Sequence, residues 1–191
     1  GEFDDARRAE FEPVRLKLLA ARGQRERPLR DDKILCDLNA MTVVALAAAS
    51  RSFDAPELHA AANAILDWLL ANYKTADGLR HCAGQAGLLD DWAWLGLAGL
   101  EMQRPELAAD LADEMLARFR ENDRLYLTDQ NAPNLIARPY ETFDNATPCG
   151  NSVAIALLAR LGQHEARFRQ AAAELLADVA KKLPVRRLGT P

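Results

Sequence analysis

Two acidic pairs, Asp31-Asp32 and Asp90-Asp91, interrupt a chain rich in alanine and leucine, and Glu141 and Asp144 follow further along. Paired carboxylates suit general acid–base work, because one can donate a proton while the other accepts one or attacks. Glycoside chemistry needs that division of roles. Asn39, Trp92, Tyr140, Glu141, Asp144 and Asn151 are the groups that would orient a sugar beside them. Trp94 reads better as core, and Phe143 lies near the same end. No metal and no cofactor are expected. His59 and His164 fall at starts of amphipathic helices, and His81-Cys82 has no third ligand at metal spacing. Cys36, Cys82 and Cys149 include no Cys-x-x-Cys pair and read as reduced thiols of a cytoplasmic protein. There is no phosphate-binding Walker loop and no Gly-x-Ser-x-Gly elbow.

The same acids have a second reading. Asp and Thr are favoured helix N-caps, and acids in a first turn complement the helix dipole. Asp31-Asp32-Lys33, Asp90-Asp91 and Thr147-Pro148 each precede an apolar run, with Asn151 one turn into the last. Only one side chain of a pair can be the cap, so each Asp pair leaves one carboxylate over for chemistry.

Two kinds of helix are predicted to position these groups. Ile34 to Ala49, Trp92 to Met102 and Val153 to Leu161 are apolar on nearly every face and must be covered. Each is followed by an amphipathic stretch with three-and-four spacing. Those stripes are Leu58, Ala61, Ala62, Ile65, Leu66, Leu69 and Tyr73; then Leu107, Leu111, Met115, Leu116 and Phe119; then Phe168, Ala171, Ala172, Leu175, Leu176, Val179 and Leu183. A leading amphipathic helix spans about Asp5 to Ala21. The apolar helices are expected to start near Asp32, Asp91 and Thr147, which are 59 and 56 residues apart, and Pro56-Glu57-Leu58 recurs as Pro105-Glu106-Leu107.

The pattern is therefore three copies of one helical hairpin, with inner helices covered by outer ones. Inner-to-outer connections are short (Ser50 to Ala55, Gln103-Arg104), and outer-to-inner ones are long (Lys74 to Leu89, Glu121 to Ala146). Long loops in a compact domain carry function more often than structure. The inner-helix N-terminal end is the expected site. Strand is expected only as short extended pieces such as Leu125-Tyr126-Leu127.

The chain has 191 residues, 49% hydrophobic and 27% charged, with a formal net charge of −4. That composition is globular. The charge gives no case for nucleic acid, and no apolar run approaches a membrane span. The whole of 1–191 reads as a single helical domain, with Gly1-Glu2-Phe3 set aside as a cloning remnant.

Three blocks carry a family resemblance. Lys17-Leu18-Leu19-Ala20-Ala21-Arg22 with Arg27-Pro28, Asp31-Asp32-Lys33-Ile34-Leu35 and Asn39 is the first, and Leu89-Asp90-Asp91-Trp92-Ala93-Trp94-Leu95 the second. Asp144-Asn145-Ala146-Thr147-Pro148-Cys149-Gly150-Asn151-Ser152-Val153-Ala154 is the third. In order and spacing, from about residue 10 to 165, the chain resembles the spermatogenesis-associated, thioredoxin-domain-containing (YyaL-like) family. The chain departs from it at Leu38-Asn39-Ala40, where the family usually has Trp-Asn-Gly, and so lacks an aromatic platform.

The resemblance implies an all-α, partial (α/α) toroid of about three hairpins, similar to six-hairpin glycosidases and N-acylglucosamine 2-epimerase. It also implies a longer parent protein with a thioredoxin-like domain in cis, and self-association of the fragment through its open edge. Two functions follow as expectations. One is a carbohydrate-active region acting on a sugar-like small molecule, with Asp31, Asp32, Asp90 and Asp91 as acid–base residues. Hydrolase-like chemistry is favoured within it, because no histidine is expected at an inner-helix start. The other is a non-catalytic scaffold serving the thioredoxin-like domain.

Overall fold

The computed structural model describes residues 5–133 and 135–182. Leu183 and Gly1-Glu2-Phe3 lie outside the described residues. The chain divides into two compact units, residues 1–32 and 33–191.

The first unit holds helix α1 (Asp5–Gly23), where the leading helix was expected. Its apolar side chains Phe11, Val14, Leu16, Leu18 and Leu19 are exposed. An irregular segment containing Asp31 and Asp32 follows it.

The second unit is mostly helical. Among the described residues it contains α2 (Cys36–Phe53), α3 (Pro56–Tyr73), α4 (Leu89–Glu101), α5 (Pro105–Phe119), α6 (Gly150–Leu161) and α7 (Ala166–Lys182). The turns between hairpin partners follow their sequences. Asp54 takes a left-handed φ of 51° after α2, Gln103 one of 57° after α4, and Pro56 and Pro105 occupy first helical positions.

Packing gives the order α2, α4, α6 side by side, with α4 in the middle, and α3, α5 and α7 backing them in turn. Gly96 lets α4 and α6 approach, since a Cβ there would meet Leu157 Cδ2 at 2.5 Å. The core runs through all six helices, from Ala40, Val43 and Leu66 to Leu95, Leu111, Met115, Leu157, Phe168 and Leu175.

Complete cover was expected for three helices, but only α4 has it, buried at Leu89, Asp91 to Gly96, Ala98 and Gly99. The flanking helices each keep an uncovered side. On α2, Leu38, Thr42, Ala45 and Ala48 are exposed, and on α6, Ala156, Ala159 and Arg160. The reason is their place in the row: α4 has a neighbour on both sides, and α2 and α6 on one each.

A single carboxylate ties the C-terminal ends of this row together. Glu101 at the end of α4 accepts from Arg51 of α2 and from Arg160 of α6, each at 2.5 Å.

Short extended pieces were expected, and the structure forms small antiparallel sheets instead. β1 (Lys74–Thr75), β2 (Gly78–Cys82) and β3 (Gln85–Ala86) make one meander, and β4 (Arg120–Glu121) pairs with β5 (Arg124–Leu125). The first hairpins of each set are equivalent. Tyr73 and Phe119 end the outer helices, Lys74 pairs with Leu79 as Arg120 pairs with Leu125, and both leucines are buried. Gly78 (φ 122°) and Asn122 (φ 54°) supply the positive dihedrals of the two tight turns. Outer helices α3 and α5 thus each run into a hairpin that folds back over the N-terminal end of the inner row.

Candidate functional site

Asp91 is the third residue of α4 and is fully buried. Its Oδ2 accepts the Leu88 N–H at 2.7 Å, closing a capping-box bond at the start of its own helix. Its Oδ1 accepts the Asp37 N–H at 3.0 Å, which belongs to the first turn of α2. One carboxylate therefore caps two helices. His81, carried in by β2, brings Nδ1 to 3.1 and 3.2 Å from the two oxygens. Burial raises the Asp91 pKa to about 6, against the Leu88 N–H and His81, which favour the charge, while Asp37 adds to the rise.

Asp90 points to the other neighbour. Its Oδ2 lies 3.1 Å from where a Cβ on Gly150 would sit, at the first residue of α6. Burial holds its carboxyl above the usual carboxylate range. Its own backbone N–H and that of Gly150 oppose the rise, and the charges of Asp37 and Glu141 add to it. The charges of Asp37, from α2, and of Glu141, from the long loop, thus both bear on Asp90.

The loop is held there by Asn151, which is 2% exposed. Its Nδ2 donates to the Leu125 carbonyl at 2.9 Å and to the Glu141 carbonyl at 2.8 Å, and its buried Oδ1 has no partner among the described residues. Asp144 Oδ1 accepts the Cys149 N–H at 2.9 Å. That bond is the main cause of its lowered pKa. Glu141 and Asp144 are both exposed.

The expected site residues are thus only partly brought together. Asp90, Glu141, Asp144 and Asn151 meet around the start of α6. Asp31 and Asp32 belong to the first unit, where Asp32 pairs with Arg30 at 2.8 Å, and they do not open α2. That helix begins at Cys36, after an N-cap, Leu35, that has no capping side chain, and a first-turn amide finds Asp91 instead. Asn39 donates to the Leu35 carbonyl at 2.7 Å within its own first turn. The third inner helix begins at Gly150 rather than at Thr147.

Trp92 is 2% exposed and packs edge-on to Phe119, with Nε1 3.3 Å from Glu114, so it is core rather than a stacking surface. Tyr140 donates to Asp178 of α7 at 2.7 Å, and Lys182 Nζ lies 3.6 Å from its ring centroid. Its hydroxyl pKa is raised, first by burial and then by that bond. Tyr140 fastens the loop to α7.

Two residues of the site escaped the sequence reading. Asp37 is a lone acid inside an apolar stretch, and His81, expected in the long loop Lys74 to Leu89, had no third metal ligand at suitable spacing along the chain. Asp77-Gly78 was the available signal for His81, because an Asp-Gly turn makes a hairpin and folds the following strand back. Among the described residues, Asp37, His81 and Asp91 are a group with metal-ligand atoms within 4.8 Å of one another. A groove of about 620 Å³ at the opposite end, between the α4–α5 and α6–α7 turns, contains none of the expected site residues.

The chain matches no family model and no curated protein.

Proposed function

We propose that this chain is part of an (α/α) toroid whose inner-helix N-terminal rim acts on a carbohydrate-like substrate by carboxylate acid–base chemistry. The carrying observation is that Asp90 lies against Gly150 at the start of α6, where the next residue, Asn151, holds the Glu141 backbone, so that α4 and the long loop each bring an acid to one rim. Asp90 is the more enclosed and takes the role of acid. Glu141 is exposed and takes that of base or nucleophile. Asn151 holds the Glu141 backbone in place. Asp91 supports this rim from beneath and does not act on substrate.

The uncovered flanks of α2 and α6 favour a row that continues on both sides, as in the six-hairpin glycosidases and N-acylglucosamine 2-epimerase that the sequence resembles. The YyaL-like resemblance adds a thioredoxin-like domain in the full-length protein. Glycoside hydrolysis is the preferred reaction.

A second reading has its own support. Asp91, Asp90 and Asp144 all serve backbone N–H groups at helix starts, which is what a non-catalytic scaffold presenting its rim to the thioredoxin-like domain would also need. Saturation-transfer NMR of the full-length protein against a panel of mono- and disaccharides separates the two. The sugar reading expects transfer that is lost in Glu141→Gln and Asp90→Asn with the fold intact. Absence of transfer to every sugar, or transfer unchanged in both variants, favours the scaffold.

A further inference from the structure

We propose that Asp37, His81 and Asp91 bind a first-row divalent transition-metal ion, with zinc as the reference. The inference stands apart from the sugar reading, because it concerns direct binding. The three ligands come from α2, β2 and α4, so spacing along the chain gave no hint of them.

The geometry is close to a coordination sphere. Ligand atoms about 2.1 Å from one ion lie about 3.0 Å apart at a right angle and about 3.4 Å apart at the tetrahedral angle. His81 Nδ1 is 3.1 Å from Asp91 Oδ1 and 4.0 Å from Asp37 Oδ1. The first pair is already at ligand spacing; the second is about 0.6 Å wider than the tetrahedral spacing, and Asp37 Oδ1, which also accepts the Leu38 N–H at 2.8 Å, must shift by about that much to join the sphere. The ion takes the place of the proton between His81 Nδ1 and Asp91. That proton sits on Nε2 in the other neutral tautomer.

Charge points the same way. Two carboxylates share one imidazole, with His81 Nδ1 between Asp91 Oδ1 and Asp37 Oδ1. The Leu88 and Asp37 N–H groups carry part of the Asp91 charge. A divalent ion neutralises the rest where burial makes an uncompensated charge costly. Those two amides also fix the Asp91 carboxylate as outer partners fix a metal ligand.

Access is from one side. Asp91 is sealed, while the His81 and Asp37 side chains are 18% and 21% exposed. Three protein ligands with an open side for water make a site of the catalytic-zinc type, and one nitrogen with two carboxylate oxygens favours zinc, iron or manganese over calcium.

The test is calorimetric titration of zinc into the metal-stripped 191-residue chain, with calcium in parallel. The expected result is uptake of one zinc per chain, weakened about 100-fold or more in His81→Gln and in Asp37→Asn, both partly exposed positions whose helical circular dichroism should be unchanged. A second readout needs no variant: the His81 ring ¹⁵N resonances of the wild-type chain should shift to a Nδ1-bound pattern on adding zinc. The proposal is overturned by absence of saturable zinc uptake, by uptake of equal affinity in both variants, or by calcium binding more tightly than zinc.

Discussion

Replacing Glu101 with glutamine tests the account of α4 as the post between α2 and α6. The carboxylate is 12% exposed and accepts from two guanidinium groups, Arg51 at 57% and Arg160 at 43% exposure. A hydrogen bond to a charged partner contributes about 1.5–3 kcal/mol when well shielded. Exposed ion pairs contribute about 0–1 kcal/mol, and both arginines are half in water. Glutamine keeps one acceptor and turns an amide towards the other arginine. The expected loss is about 1–2 kcal/mol at neutral pH, or about 3–6 °C in Tm for a chain of this size.

The pH dependence sharpens the test. Burial raises the Glu101 pKa, but the hydrogen bonds from Arg160 and Arg51 outweigh it and leave it lowered. A carboxyl depressed in the fold stabilises above its unfolded pKa of about 4.3, and that contribution is lost as pH falls through the folded value. The gap between wild type and Glu101→Gln should therefore be full at pH 7 and close in acid. Urea unfolding followed by circular dichroism at pH 7 and at acid pH measures it. A variant as stable as wild type at pH 7, or a gap that persists undiminished in acid, would refute the clamp.

Three further outcomes are expected. Leu157→Ala should cost about 2–5 kcal/mol in urea unfolding, as a fully buried core truncation does. Gly96→Ala should cost about 1–3 kcal/mol alone and less in the Leu157→Ala background, because the atom it strikes is then gone; strictly additive losses would contradict the α4–α6 packing. Thr42→Lys with Ala45→Glu, on the uncharged exposed side of α2, should reduce self-association seen by light scattering, and an unchanged mass at high concentration would count against an adhesive edge.

Much of the helical order was legible because burial leaves a periodic trace. The helices fall where the stripes and apolar runs indicated, though Ala61 and Leu176 of the stripes are exposed and Ile34 lies exposed ahead of α2, and Pro56 and Pro105 marked two starts within a residue. Helix starts were read less well where the cap came from elsewhere. α2 has no capping side chain of its own, since Asp91 reaches across from 54 residues away, whereas Asp31 and Asp32, the acids that precede it in sequence, do not open it. Trp92 was misjudged for a related reason: the hairpin after α3 and the end of α5 close over it, and no pattern within α4 announces that. Asp37 and His81 needed the tertiary fold, because each becomes informative only beside Asp91.

The central claim is that the rim carboxylates do chemistry beyond capping. It is tested most directly by product analysis of the full-length protein with glycosides and N-acyl sugars, comparing wild type with Asp90→Asn. Asparagine removes the acid and leaves the Gly150 N–H an acceptor, so the fold should survive. The account predicts turnover in wild type and a fall of about 100-fold or more in Asp90→Asn, as loss of a general acid gives, with unfolding curves that overlay. Turnover that is equal in the two proteins would contradict it and leave these acids as helix caps.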